Sequence, residues 1–282
     1  MSEAMAKSDL PVVPPASMAE TSHGWRLGDY VTQTWAVSAA EVQKLRHDPW
    51  ELLTRAVQPL LWLMLFGTVM ARVRGVSPGG IPYLDFLAAG ILAQSALFVA
   101  IFYGISAIWE RDLGVLQRYL VSPAPRSALV LGKAISAGVR ALSQALIVYV
   151  LALLMGVGID LAPMNILGVV VVLVLGSALF STLSLIIACI VKTRERFMGI
   201  GQVLTMPIFF ASNAIYPLTL MPTWLRTVSR FNPLTYEVDA LRAMMLTHGV
   251  FEYGLALDLG VLIATTALLT AIGAKMYRRM GY

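Results

Sequence analysis

The residues able to do chemistry in this 282-residue chain are few and scattered. His23, His47 and His248 lie far apart and Cys189 is the lone cysteine, so no metal cluster or disulfide framework is expected within one chain. Cys189 falls in an apolar run and reads as a small buried hydrophobe. A phosphate-cradling loop needs G-x-x-x-x-G-K-[ST]. Gly132-Lys133 is followed by Ala134 and lacks the earlier glycine, and Gly273-Ala274-Lys275 fails too. If the protein pumps, its energy comes from another chain, and no metal or cofactor is expected in this one.

Two polar patterns remain. Gln202, Thr205, Phe209, Ser212, Asn213 and Tyr216 fall within about 100° of arc on a helix of 3.6 residues per turn. Polar groups facing lipid are costly, so this stripe faces protein or a cavity. Gln94, Phe98 and Phe102 stack at i, i+4 spacing on another helix. An aromatic and amide wall suits an amphipathic or lipid-like solute on a substrate pathway. The alternative is helix packing or a subunit interface, where amides and hydroxyls also act as glue. The second pattern begins at Glu110. Leu113, Leu116 and Leu120 fall on one face of a short helix and Arg111 and Arg118 on another. Glu110 and Asp112 suit its first turn, Gly114 permits close backbone approach, and Pro123 and Pro125 end it. Such a helix can carry force into the membrane; the bland alternative is an ordinary basic loop.

The elements positioning these residues follow from composition. Hydrophobic residues make up 58% and charged residues 13%, against about 25% charged in soluble domains. So much apolar surface needs the bilayer as a second solvent. Six segments approach the roughly 20 apolar residues of a spanning helix: 54–71, 84–109, 140–159, 166–191, 197–217 and 255–275. In lipid only a helix satisfies its own backbone within one segment. The expected fold is all-α, a polytopic membrane protein with six transmembrane helices. Sixteen of the Lys and Arg residues fall on one side and five on the other, which places both termini in the cytoplasm. The net charge of +5 belongs to those loops, and no nucleic-acid partner is expected. Residues 1–26 read as a disordered cytoplasmic tail without a signal peptide. Residues 27–49 read as an amphipathic helix on the membrane surface or packed on a partner, and 50–282 form the six-helix domain. No ionisable residue lies deep in the six spans, which counts against an ion-coupled transporter and a membrane enzyme. A non-transporting scaffold stays open.

The stretch Trp109-Glu110-Arg111-Asp112-Leu113-Gly114-Val115-Leu116-Gln117-Arg118, closing at Pro123, resembles the E-R-x-x-G-x-L…P stretch of type-2 ATP-binding-cassette exporter permeases, the family of daunorubicin-resistance, nodulation and polysaccharide-export permeases. Tyr216-Pro217, Pro222-Thr223-Trp224, Asn232-Pro233-Leu234-Thr235 and Arg242 look like the same family in the loop before the last span. The resemblance runs from Gly28 onward. It implies a permease subunit in a bacterial or archaeal cell membrane, paired with a second permease chain as homo- or heterodimer. Two copies of an ATP-binding-cassette ATPase would carry ATP and Mg. It implies that Glu110, Arg111, Asp112, Gly114, Leu116, Arg118 and Pro123 form a cytoplasmic coupling helix on that ATPase. It also implies short external re-entrant helices around Pro217, Pro222, Trp224, Asn232, Pro233 and Arg242. The cargo class is a drug-like or lipid-like amphiphile, or alternatively a polysaccharide or glycolipid.

Overall fold

The structure is a computed structural model that describes residues 57–73, 80–112, 126–191 and 193–277. The described residues form helices and loops without a strand; the one bridge of β type joins Ile159 to Leu246. Four helices are long and apolar enough to cross a membrane: α2 (Tyr83–Tyr103), the Ala137–Leu154 part of α4 (Arg126–Leu154), α5 (Pro163–Ile190), and the Leu255–Gly273 part of α9 (Leu255–Tyr277). Two expected spans are shorter among the described residues. The first is α1 (Val57–Met70), which carries a π-helical turn over Trp62–Gly67. The fifth is α6 (Arg194–Phe210), not a helix to residue 217. Pro207 lies three residues from its end, and the Ser212 hydroxyl closes the last turn by donating to the Phe209 carbonyl at 2.7 Å. The chain then turns through Ala211–Tyr216.

The second expected span, 84–109, is also not one helix. It stops at Tyr103, and a separate helix α3 spans Ile105–Asp112. A side chain on Gly104 between them would strike Ser184 and Phe197, and the Ser184 hydroxyl donates to the Ile101 carbonyl there. Arg194 at the start of α6 stacks 3.4 Å from the Trp109 ring on α3, tying the two helices together.

α2 is the central helix, with 78% of its apolar window buried, whereas the corresponding window of α9 is 11% buried. An apolar helix left this open needs lipid or another chain against it. α5 packs against α4, α9, α2 and a shorter helix α8 (Pro233–Met245). α8 follows α7 (Thr223–Phe231) with Asn232 between. All but three of its thirteen residues are buried, so this helix, expected as part of a short external re-entrant segment, packs into the core. The loop between α4 and α5 holds the end of α8: Asp160 N–H donates to the Met245 carbonyl at 2.8 Å and Thr247 N–H to the Gly158 carbonyl at 3.0 Å.

Candidate functional site

Among the described residues, polar contacts gather where the 211–222 loop, α7 and α8 meet α2. Asn232-Pro233 sets the turn. Asn232 caps α8, its Oδ1 accepting from Leu234 N–H at 3.1 Å, and its Nδ2 donates to the Ile208 carbonyl of α6 at 2.6 Å. Pro233 at the first helical position costs no hydrogen bond. Asn232→Ala removes both contacts and is expected to lower stability by about 1–2 kcal/mol. Thermal unfolding of the purified chain checks this; Asn232→Asp, which keeps the cap and loses the bond to Ile208, is expected to fall between.

Arg242 is the centre of the site. Its Nη2 donates to the Asn213 carbonyl at 2.8 Å, and its guanidinium lies 3.6 Å from the Phe86 ring of α2. Arg242 is buried. Burial brings it down to about 10 against the pull of Asp239 and Glu252, so it stays charged at neutral pH. Asp239, one turn earlier, accepts from Glu252 N–H at 3.0 and 2.9 Å and from Tyr253 N–H at 2.9 Å. Burial, then Asp239, push the Glu252 carboxyl up, and Arg242 opposes them. A cavity of about 590 Å³ opens here, lined by Phe86, Pro217, Asp239, Arg242, His248 and Glu252.

The proposed pathway residues divide. Thr205, Phe209, Ser212 and Asn213 are buried inside the chain, Tyr216 is half-buried and Gln202 is exposed. Only Gln202, Thr205 and Phe209 share the helix, because α6 ends at Phe210. Thr205 donates to the Gly201 carbonyl at 2.6 Å, and Phe209 packs edge-on to Trp62 of α1 at 5.7 Å. On α2, Gln94 is buried, and the Phe98 and Phe102 rings lie 5.9 Å apart beside a cavity of about 230 Å³ that also touches Tyr103 and Arg140. No residue of the 202–216 stripe lines that cavity.

Pro217 and Pro222 flank the short turn Leu218–Leu220. Arg226 closes it, donating to the carbonyls of Leu218, Thr219 and Met221. Trp224 and Phe231 are exposed on α7. Glu110, Arg111 and Asp112 end α3. Gly114, Leu116, Arg118 and Pro123, with the expected tail 1–26 and surface helix 27–49, lie outside the described residues.

Sequence reading missed Phe86, Asp239 and Glu252 as parts of the Arg242 site. Their only signal is the Asp239–Arg242 spacing of one turn, and without the depth of α8 it reads as an ordinary solvated pair.

Residues 32–246 match the ABC-2 type transporter family. The chain is 27% identical over 250 residues to a putative transport permease of Cyanophora paradoxa, covering 84% of each chain. It is 23% identical to a daunorubicin resistance ABC transporter permease protein of Streptomyces coeruleorubidus, over 89% of this chain and 84% of the relative. Nodulation protein J of Rhizobium leguminosarum bv. trifolii is 28% identical over 71% of this chain and 76% of its own. With a match spanning most of its length and four helices of membrane-crossing length and composition, the chain belongs to the ABC-2 type transporter family of multi-pass membrane permeases.

Proposed function

We propose that the protein is the membrane-spanning subunit of an ATP-driven exporter that moves a drug-like or lipid-like amphiphile out of the cytoplasm or the inner leaflet. The family match over 32–246 carries this reading. The daunorubicin-resistance relative supports a drug-like cargo. The nodulation relatives keep a polysaccharide or glycolipid as the second reading. In this scheme α1 and α6 cross together with the four long helices, giving six spans in a bacterial or archaeal cell membrane. The sixteen-to-five division of Lys and Arg puts both termini in the cytoplasm. α7 and α8 are then a re-entrant pair entered from outside. Two such chains, identical or different, join two ATPase subunits that carry ATP and Mg. ATP binding draws the ATPases together and pushes the segment from Glu110 to Pro123. Gln94, Phe98 and Phe102 on α2 and the stripe from Gln202 to Tyr216 are the proposed walls of the route.

The test is assembly and transport with an ATPase that co-purifies with the chain. Gly114→Leu and Arg118→Glu are expected to leave the chain inserted while transport of a fluorescent amphiphile into inverted vesicles falls at least tenfold and cargo no longer stimulates ATP hydrolysis. Silence of both substitutions in transport and in assembly would make the segment an ordinary loop and leave the scaffold reading standing.

A further inference from the structure

Glu237 is the one acidic side chain of α8 that the Arg242 site does not use. It is fully buried, and neither carboxylate oxygen has a hydrogen-bond partner. Its place is fixed by a groove along α5. A side chain on Gly168 would strike the Met244 thioether, and one on Gly176 would strike the Glu237 carboxyl. Val172, midway between these glycines, is fully buried. From Glu237 to Met244 α8 rises about 10.5 Å while α5 runs about 12 Å the other way from Gly176 to Gly168. The helices therefore lie antiparallel in register, with Glu237 pressed onto the α5 backbone.

Gly176 is the fourteenth of the 28 residues of α5. At 1.5 Å per residue it lies roughly 20 Å from either end. A hydrocarbon core is about 30 Å thick, so a spanning α5 puts the Glu237 carboxyl near the bilayer midplane.

Among the described residues no charge meets it there. α5 contains no Asp, Glu, Lys, Arg or His. On α9, Asp258 lies against Asp239, and Lys275 is in the last turn. On α2, Asp85 is in the first turn, and Tyr83 faces Arg242. On α7, Arg226 is engaged with backbone carbonyls, and Arg230 is in the last turn. On α8 itself, Tyr236 donates to the Arg230 carbonyl, and Asp239 and Arg242 belong to the cluster described above. An ionised carboxylate so placed costs far more than taking up a proton.

We infer that Glu237 is an intramembrane proton-binding site, loaded while α8 lies in the α5 groove and emptied to water in any state that withdraws α8 from it. The step is a simple acid dissociation: the carboxyl O–H bond breaks, its electron pair stays on oxygen, and water takes the proton. The sign follows from linkage. A carboxyl held up in the packed state favours packing at low pH. That preference is lost as pH climbs above the ordinary carboxylate range, by up to tenfold in the packed-to-unpacked ratio for each pH unit. The inference rests on α5 crossing the membrane and not on the cargo or the ATPase, so it is tested on the chain alone.

The experiment uses the full chain in phosphatidylethanolamine–phosphatidylglycerol vesicles. Infrared spectra at pH 7 are expected to contain the carbonyl band of a protonated carboxyl that Glu237→Gln removes. Thermal unfolding of the wild type is expected to lose stability from pH 5 to pH 9 with a slope that Glu237→Gln reduces. Identical spectra for the two proteins, or an unchanged slope, overturn the inference. Should the glutamine variant fail to fold, 13C-glutamate labelling of the wild type decides. An isotope-shifted protonated carboxyl band persisting at pH 7 supports the site, and its absence sinks it. Failure here leaves the exporter reading intact, and loss of transport in the tests above leaves this site intact.

Discussion

Gly90→Leu is expected to prevent the chain from reaching its folded state. Gly90 is in the buried middle of α2, where it meets the backbone of Ala214 in the turn after α6; a Cβ would come within 2.9 Å of the Ala214 Cα and closer still to its carbonyl. The obstacle is main chain, which cannot swing aside as the tip of a flexible side chain can. That main chain is itself held: Asn213 O accepts from Arg242, Ala214 N–H donates to the Ser212 hydroxyl at 3.3 Å, and Ile215 O accepts from the buried Tyr83 hydroxyl at 2.8 Å. Overpacking a close-packed core ordinarily costs about 1–3 kcal/mol, and a contact with no yielding partner belongs at or above the top of that range. The measurement is the folded fraction in detergent after mild heating, followed by size-exclusion profile and protease resistance. Gly199→Ala and Gly260→Ala are the matched controls, because nothing lies within 4 Å of a Cβ at either; both are expected to match the wild type. A Gly90→Leu protein as stable as these controls would show that α2 and the 212–216 turn do not touch as described.

The same contact explains which parts of the architecture were legible in the sequence. Long apolar runs fix the bodies of α2, α4, α5 and α9, because hydropathy over 18 or more residues has no soluble competitor. Breaks within those runs were not legible. Gly104 and the 211–216 turn are decided by close approach to other helices, and nothing in a run of apolar residues announces its neighbour. The depth of α8 is not legible for a related reason. Pro233-Leu234-Thr235-Tyr236-Glu237-Val238-Asp239 has two acids within seven residues, and hydropathy reads such a segment as lying outside the membrane. Its burial rests on pairing Asp239 with the Glu252 and Tyr253 amides and Arg242 with Phe86 and Asn213. Glu237 reaches the middle of α5 from a helix that is not one of the six expected spans, so reading those spans for ionisable residues passes it by. Helical periodicity picks out the stripe from Gln202 to Tyr216, but it carries no signal that the helix stops at Phe210.

Arg242→Ala is expected to cost about 3–5 kcal/mol, the range for removing one partner of a buried charged set. Three losses combine. The Asn213 carbonyl loses its donor, the Phe86 ring loses the guanidinium 3.6 Å away, and Asp239 and Glu252 lose their nearest cation. Arg242→Lys keeps the charge but offers neither the planar stack nor the fork geometry, so it is expected to recover only part of the loss. The pH dependence separates electrostatics from packing. With Arg242 present, Glu252 is already held above its ordinary range, by burial and by Asp239, and Arg242, ahead of Arg226, restrains that rise. Without the guanidinium the rise is larger. A carboxyl raised in the folded state stabilises that state at low pH and loses the contribution as pH climbs through the folded value. The deficit of Arg242→Ala relative to wild type is therefore expected to be smaller at pH 5 than at pH 8. Thermal unfolding of wild type, Arg242→Ala and Arg242→Lys at both pH values gives the comparison. A deficit below about 1 kcal/mol that does not change with pH would place Arg242 among exposed pairs of little energetic weight and remove it as the post that holds α8 against α2.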